Sequence, residues 1–555
     1  FLIPLQQGVD LCISGVRMAH VTSVTLQGVS YHLPDGSSLF SDIDLHLDQR
    51  RTGLVGRNGV GKSILARIMA GDLLPSTGHC IRNGTVYYLT QQVSHDPNHT
   101  LAELAGVQPV ISALERIERG SSAQADFDCV GERWNIRQQL LDQLSRNKLA
   151  HLTLSTPASA LSGGEAMRVA LLGAFLSKAD LLILDEPTNH LDHQHRLALH
   201  EQLQQWPEGL LVISHDRALL ENMERIVELS PQGLTSYGGG YSFYAQAKAG
   251  QLQAAQQQLA AYRLERKRQE QTLREQRESL ERKQSRGRKQ AADANQAKIL
   301  LGRQKERSQA SSGKLRVQQD AAREQLSVQV RQAANQVEEQ QAIFISAPQP
   351  CSGSPAQIAE LIEARLPYGA QQLRRINLAV TRGQRIALTG PNGCGKSTLL
   401  KVLAGQLTVV SGQARTLVTS TYLDQHLGVL EPARSVLEQL QSLNRQLSEG
   451  ELRTRLAQLG LNADRINLPS HRLSGGERLK AAMACVFYTQ SPPQLLLLDE
   501  PANHLDLPSV QALESMLKHY PGTLIVTSHD DVFLAAIGIT HRLMASPTGW
   551  LLCPV

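Results

Sequence analysis

LVGRNGVGKSILARIMAG, residues 54–71, passes from a short apolar run through a glycine-rich string into a segment with apolar residues at i, i+3 and i+4. Strand, glycine loop and helix in that order can gather backbone N–H groups around a phosphate. Glycine leaves no side chain in the way, and the helix adds the positive end of its dipole. Within GRNGVGKS, Gly56, Asn58, Gly59 and Gly61 shape the cradle, Lys62 supplies a mobile cation, and the Ser63 hydroxyl suits Mg2+. The phrase returns as GPNGCGKSTLLKVLAG at 390–405, offering Gly390, Asn392, Gly393, Gly395, Lys396, Ser397 and Thr398.

Working outward, other phrases also come in pairs and in the same order. LSGGE stands at 161–165 and 473–477, LILDEP at 182–187 and LLLDEP at 496–501, ISHD at 213–216 and TSHD at 527–530. Two homologous domains of roughly 200 residues each are the simplest reading. The runs LLIL and LLLL read as buried parallel strands that end in an acidic pair. Asp185 and Asp499 would then reach the metal, directly or through water, beside Ser63 and Ser397. Glu186 and Glu500 would face the water that attacks a γ-phosphate. His215 and His529 follow apolar strands, at strand ends where ligand crevices form.

A glycine-rich phosphate loop, a glutamine after a strand (YYLTQ at 87–91, TYLDQ at 421–425), LSGGE, LILDEP, NHLD and SHD, in this order and in both halves, resemble the ATP-binding cassette ATPases. That resemblance implies two α/β P-loop cassette domains that bind ATP and Mg2+ and hydrolyse ATP to ADP and phosphate. It implies that Ser474, Gly475 and Gly476 complete the site of Lys62, while Ser162, Gly163 and Gly164 complete that of Lys396, so that ATP glues the halves together. Gln91 and Gln425 would contact Mg2+ and the attacking water, with Gln92 the alternative to Gln91. His215 and His529 would hold the γ-phosphate, and Tyr31 and Tyr368 are candidates to stack on adenine. Two departures stand out: Ile64 where a second hydroxyl is usual, and Ala502 where the first half has Thr188.

Between the halves the composition shifts toward Gln, Arg, Lys, Glu and Ala, without proline. Residues 262–316 hold 17 Lys/Arg against 7 Asp/Glu, a net of +10, whereas the whole chain is only +5. Strong helix formers predict a basic helical hairpin. Two helices of about 40 residues would each span ~60 Å. A turn is expected between Gly287 and Gly302, with the SSG at 311–313 as a rival. Such a bridge is either a solvated spacer or a phosphate-binding surface formed by Arg263, Arg266, Lys267, Arg274, Arg282, Lys283, Arg286, Arg288 and Lys289.

Tandem cassettes with PTNHLD in the first and a basic helical linker resemble the F subfamily. This implies a ribosome as partner, entered at the tRNA exit site in the ATP-closed form through contacts to ribosomal RNA and tRNA. Translation is modulated there, or protected from antibiotics. The competing reading is a tandem nucleotide-binding subunit that serves a separate membrane permease. Leu161 follows Gln91 by 70 positions and Leu473 follows Gln425 by 48, an excess that could hold a short arm on the first domain.

Composition agrees: 41% apolar and 19% charged residues describe a globular protein, with no apolar run long enough to cross a bilayer. Seven cysteines lie scattered without a CxxC pair, which fits a reducing cytoplasm and argues against a zinc or iron–sulfur site. The expected divisions are an N-terminal extension at 1–20, with Met18 a candidate start, a first cassette at 21–244, a linker at 245–345 and a second cassette at 346–555. The paired cassettes are expected to close within one monomer.

Overall fold

In a computed structural model of the chain, residues 23–91, 96, 99–189, 191–293, 324–331, 333, 356–424, 427–503 and 505–555 are described. The N-terminal extension, Gln92 and Gln425 lie outside them, as do the side chains of Lys283, Arg288 and Lys289. Two compact units result: one holds both halves, up to Ser242 and from Ile343 onward, and the other is Phe243–Ala342.

The first half contains strands β1 (Ser23–His32), β2 (Ser38–Leu47), β3 (Arg51–Gly56), β4 (Thr77–Asn83), β5 (Val86–Leu89), β6 (Leu181–Asp185), β7 (Gly209–Ile213), β8 (Arg225–Ser230) and β9 (Gly233–Gly238). They form an antiparallel sheet β2-β1-β4 and a six-stranded sheet β5-β6-β7-β3-β8-β9. Strands β6 and β7 are buried at all five of their positions, the pattern of parallel strands covered on both faces. Helix Lys62–Ala70 buries Leu65, Ala66, Ile68 and Met69 in the core between the two sheets.

The second half repeats this plan. Its strands are β10 (Gln357–Arg365), β11 (Arg375–Thr381), β12 (Arg385–Thr389), β13 (Ser411–Thr416), β14 (Ser420–Leu423), β15 (Leu495–Asp499), β16 (Thr523–Thr527), β17 (His541–Ser546) and β18 (Gly549–Pro554). The sheets run β11-β10-β13 and β14-β15-β16-β12-β17-β18, strand for strand the order of the first half. In each, the glycine loop, the acidic pair and the histidine follow three adjacent parallel strands, so their carboxyl ends open into one crevice.

The extra length between Gln91 and Leu161 does not project as an arm. Helices Gln108–Glu118, Gln124–Val130 and Ile136–Arg146 bury Val110, Leu114, Val130, Ile136, Leu140 and Leu144 in one cluster with Val169 and Leu172 of helix Gly163–Leu176. Arg116 and Ser121 anchor the small middle helix by bonding Asp126 at 2.6 and 2.7 Å. Apolar spacing on all three helices pulls the insertion inward.

The linker helix is longer than expected, Tyr241–Asp293, and it passes through Gly287. One glycine in a long helix costs only about 1 kcal/mol against alanine, too little to break it. What is left of the interval in which a turn is expected, residues 294–302, lies outside the described residues. Within the linker unit, Leu259 packs with Val330 and Ala333 of a returning helical stretch, flanked by Ala255 and Tyr262.

Candidate active sites

Helix Lys62–Ala70 starts from Gly61 at φ 102°, where a Cβ would sit 2.6 Å from Leu39 Cδ2; only glycine fits. Lys62 is folded back into its loop, donating to the carbonyls of Gly56 at 2.8 Å and Arg57 at 3.1 Å. Beside it, the buried Asp185 carboxylate bonds the Ser63 hydroxyl and accepts from the Tyr88 hydroxyl at 3.2 Å. Glu186 follows at φ 50°, a left-handed turn that aims its carboxyl at His215 Nε2, 3.4 Å away. The Glu186 N–H is bonded to the Ile213 carbonyl at 2.8 Å.

The second site repeats this geometry. Lys396 donates to Gly390 O at 2.8 Å, Pro391 O at 3.2 Å and His529 Nε2 at 3.4 Å. An ammonium can only donate, so that ring nitrogen accepts. Tyr422 donates to Asp499 at 3.0 Å, and Glu500, at φ 48°, lies 3.4 Å from His529. One difference is chemical: position 213 is isoleucine, but Thr527 donates its hydroxyl to Asp499 at 2.7 Å and accepts the Glu500 N–H at 2.8 Å.

Burial sets the protonation of these groups. It pushes the Glu186 carboxyl up to about 8 against the pull of Lys62, and that of Glu500 to about 7 against Arg196 and Lys396. Burial, with Lys62 or Lys396 adding to it, holds His215 and His529 down at about 3, so both rings are neutral.

The halves meet head to tail. Asp506 caps helix Leu507–Lys518 with one oxygen, taking Ser509 N at 3.1 Å, and with the other accepts the Asn58 N–H of the first half's glycine loop at 3.0 Å. Against the effect of burial, the Ser509 hydroxyl first, and then these two amides, keep Asp506 below its ordinary value. Lys480, on the helix that begins at the second LSGGE, is lowered first by burial and then by Arg57, so that helix also borders the first glycine loop. Across the other site, Asp192 caps its own helix through His195 N and lies near enough to His529 for the two groups to influence each other's titration.

Both LSGGE segments are helix starts. Ser162 and Ser474 form capping boxes with Glu165 and Glu477, and their helices run Gly163–Leu176 and Gly475–Phe487. The glycines let the neighbour come close: a Cβ on Gly476 would lie 2.3 Å from Ser509 Oγ. Amide-rich helix N-termini of this kind suit an anion.

The family described as ABC transporter matches residues 40–189 and 373–503. The ATP-binding protein Uup of Escherichia coli is 30% identical over 89% of this chain and 76% of its own length. The Bacillus subtilis protein YdiF, named for ATP binding, is 32% identical over 90% and 76%. ABC transporter F family member 5 of Arabidopsis thaliana is 28% identical over 90% and 72%. The chain belongs to the F branch of the ATP-binding cassette family. Its tandem fold is that of archaeal aABCE1, solved with the ribosomal stalk protein aP1, at TM-score 0.56 and 17% identity over 95% of this chain and 90% of that one.

This ABC-F protein is an ATP hydrolase that uses Mg2+. The oxygens present fit the ion. In the first cassette the Ser63 hydroxyl bonds the buried Asp185 carboxylate, in the second Ser397 and the buried Asp499 hold the matching sequence positions, and no cluster of three His, Cys, Asp or Glu competes for the ion among the described residues. When bound, Mg2+ neutralises phosphate charge. Among the described residues no helix is long and apolar enough to cross a membrane.

The remaining candidates spread more widely. Gln91 is exposed just after β5. Tyr368 is 65% exposed on a loop whose backbone touches the second P-loop, its carbonyl lying within 3.4 Å of a Cβ on Gly395. Tyr31 instead lies within β1, half-buried, with its ring 6.3 Å from Phe40. Arg263, Arg266, Lys267, Arg274, Arg282 and Arg286 are all exposed along the linker helix. Sequence reasoning missed Asp192, Asp506, Tyr88 and Tyr422. Their signal was present: each NHLD ends in the capping Asp, and YYLTQ and TYLDQ repeat the tyrosine in register.

Proposed function

We propose that this ABC-F ATPase binds ribosomes in its ATP-closed form, at the tRNA exit site, and modulates translation or protects it from antibiotics until hydrolysis releases it. In this reading each nucleotide is gripped by the P-loop of one cassette and the LSGGE helix of the other. Lys62 and Lys396 hold the β- and γ-phosphates, and Ser63 with Asp185, and Ser397 with Asp499, hold Mg2+. Glu186 and Glu500 act on the attacking water, with Gln91 and Gln425 beside it, and His215 and His529 hold the γ-phosphate. Burial of these side chains is what raises the two carboxyls and keeps the two imidazoles neutral.

The observation that carries the ribosomal part is the exposed basic helix. Its Arg266–Glu270, Arg274–Glu278 and Arg282–Glu278 pairs span 3.8, 3.4 and 3.9 Å on an open surface. Such pairs contribute little, so phosphates can displace the acids. A linker that merely spaced two cassettes would need no such excess of charge.

The test is sedimentation of the Glu186→Gln, Glu500→Gln protein with ribosomes. Capture is expected in ATP and not in ADP, falling steeply with salt. Neutralising Arg263, Arg266, Lys267 and Arg274 should flatten the salt dependence by about four powers of salt at most. Equal pelleting with and without nucleotide, or stable capture by a membrane permease, would overturn the reading.

A further inference from the structure

At the seam each cassette turns two elements toward the other: the helix that starts at LSGGE and the aspartate that ends NHLD. The two cassettes join these elements differently. LSGGEAMR set against LSGGERLK matches Arg168 with Lys480, and NHLDHQH set against NHLDLPS matches His195 with Ser509. In the first cassette Arg168, on helix Gly163–Leu176, donates to His195 Nε2 at 2.9 Å. His195, on helix His193–Gln204, meets Asp192 Oδ1 through Nδ1 at 2.6 Å. A guanidinium can only donate, so Nε2 accepts, and Nδ1 carries the proton given to Asp192. The His195 N–H goes to the same oxygen at 3.1 Å, which leaves Oδ2 of this buried carboxylate without a partner among the described residues. In the second cassette Ser509 bonds Asp506 and stands against the helix start itself, its hydroxyl 2.3 Å from a Cβ on Gly476. No hydrogen bond joins it to Lys480 among the described residues. The first cassette's elements lie against the second site: His193, next to Asp192, is 3.6 Å from Asp531. Thr188 and Asn189 line one cavity with Ser528 and Asp530, the neighbours of His529.

We propose that His195 is a positioning residue for hydrolysis in the second cassette. Its neutral ring locks Asp192 to the LSGGE helix through Arg168, so that the uncommitted Asp192 oxygen and the helix start at Ser162 reach the second nucleotide as one unit. The first nucleotide, completed by Ser474 and Asp506, has no such lock. The inference rests on the crosswise reading given above, in which each LSGGE helix completes the opposite site. One ring bridging two elements orders both before the nucleotide is gripped, and a site ordered in advance gains rate without any further contact to the nucleotide.

The experiment uses full-length protein loaded with ATP in the absence of metal and started with Mg2+, reading one turnover by rapid quench. Glu186→Gln leaves only the second site competent and Glu500→Gln only the first. In the Glu186→Gln protein, His195→Ala and Arg168→Met are each expected to slow the turnover ~10-fold, and the two together no more than either alone. His195→Gln, whose amide offers a donor and an acceptor at similar reach, should restore most of the rate. In the Glu500→Gln protein all these variants should leave the rate within about twofold. Equal slowing at both sites, which a general folding defect would give, overturns the inference, as does additive slowing by the two substitutions or no slowing at all. Gly163→Asp tests the reading beneath it by setting a carboxylate at the helix start. Undiminished turnover of that variant in the Glu186→Gln protein would overturn crosswise completion itself.

Discussion

The first and second cassettes have the same strand order and the same loop lysine, acidic pair and histidine, yet they hold those residues differently. In the second, Thr527 ties Asp499 to the Glu500 backbone; in the first, Ile213 occupies that place. At the seam the first cassette presents Arg217 and His193, and the second answers with Glu514 at 2.8 Å and Asp531 at 3.6 Å. An arginine and a histidine thus stand on one face and two carboxylates on the other. Under the relation between the halves, two first cassettes would set Arg217 against His200, and two second cassettes Asp531 against Glu514. Chemistry was kept twice, while the scaffold specialised to join unlike halves.

The sharpest way to break this comparison is the Arg217–Glu514 pair, whose side chains are only 8% and 12% exposed. Burial raises the Glu514 carboxyl above its ordinary value even beside Arg217, so desolvation outweighs the attraction on that side. Arg217→Ala should therefore cost about 3–5 kcal/mol, since it strands a buried carboxylate. Replacing both residues by apolar ones of similar volume should cost far less. His193→Ala should change little, because that pair is about half exposed on each side. Hydrogen exchange along helix Leu507–Lys518 would read all three. Equal protection in Arg217→Ala and the parent would mean the pair does not hold the seam.

Most of this architecture could be read from the chain, because each cassette motif carries its own structural instruction. GRNGVGKS demands a strand before it and a helix after it, and LLILDEP demands a covered parallel strand. What escaped was whatever depends on residues far apart in sequence. No local pattern pairs Asn58 with Asp506 or Arg217 with Glu514; those contacts exist only once the halves close. Gly287 itself does not break the linker helix, because strong helix formers stand on both sides of it, and the rest of the interval in which a turn is expected lies outside the described residues. Two tyrosines offered for one role are likewise separated by the fold: Tyr31 pairs across a sheet with Phe40, and Tyr368 sits on a loop at the P-loop.

Acid–base linkage separates the sites next. Glu186 titrates near 8 and Glu500 near 7 when folded, against 4.5 in the unfolded chain. Over that interval the native state holds protons that the unfolded state has lost, so stability falls as pH rises. The histidines work oppositely: native values near 3 against 6.5 make stability rise with pH up to about 6.5. Between 4.5 and 6.5 the two trends offset each other; above 6.5 only the glutamates remain. In nucleotide-free protein with Mg2+ chelated, stability should decline between pH 6.5 and 8, on the order of 2 kcal/mol from Glu186 and less from Glu500. Glu186→Gln should remove more of the decline in unfolding midpoint than Glu500→Gln. A flat profile in the parent would show that neither carboxyl is held protonated.

The smallest expected effect tests the one chemical difference inside the sites. Thr527→Val keeps the shape of β16 but removes the hydroxyl that donates to Asp499 and accepts the Glu500 N–H, leaving that amide its longer bond to the Thr527 carbonyl at 3.2 Å. Losing one such bond is worth about 1 kcal/mol, or ~5-fold in an equilibrium. Read in the Glu186→Gln protein, the Mg2+ concentration for half-maximal hydrolysis should rise by that factor, because Asp499 is no longer steadied by the threonine. Ile213→Thr should not improve the first site to match. There the Glu186 N–H already has a 2.8 Å bond to the Ile213 carbonyl, and Asp185 already has both the Ser63 and Tyr88 hydroxyls. If Ile213→Thr lowered the Mg2+ requirement of the first site, the two cassettes would be limited by the same missing contact, and their divergence would lie only at the seam.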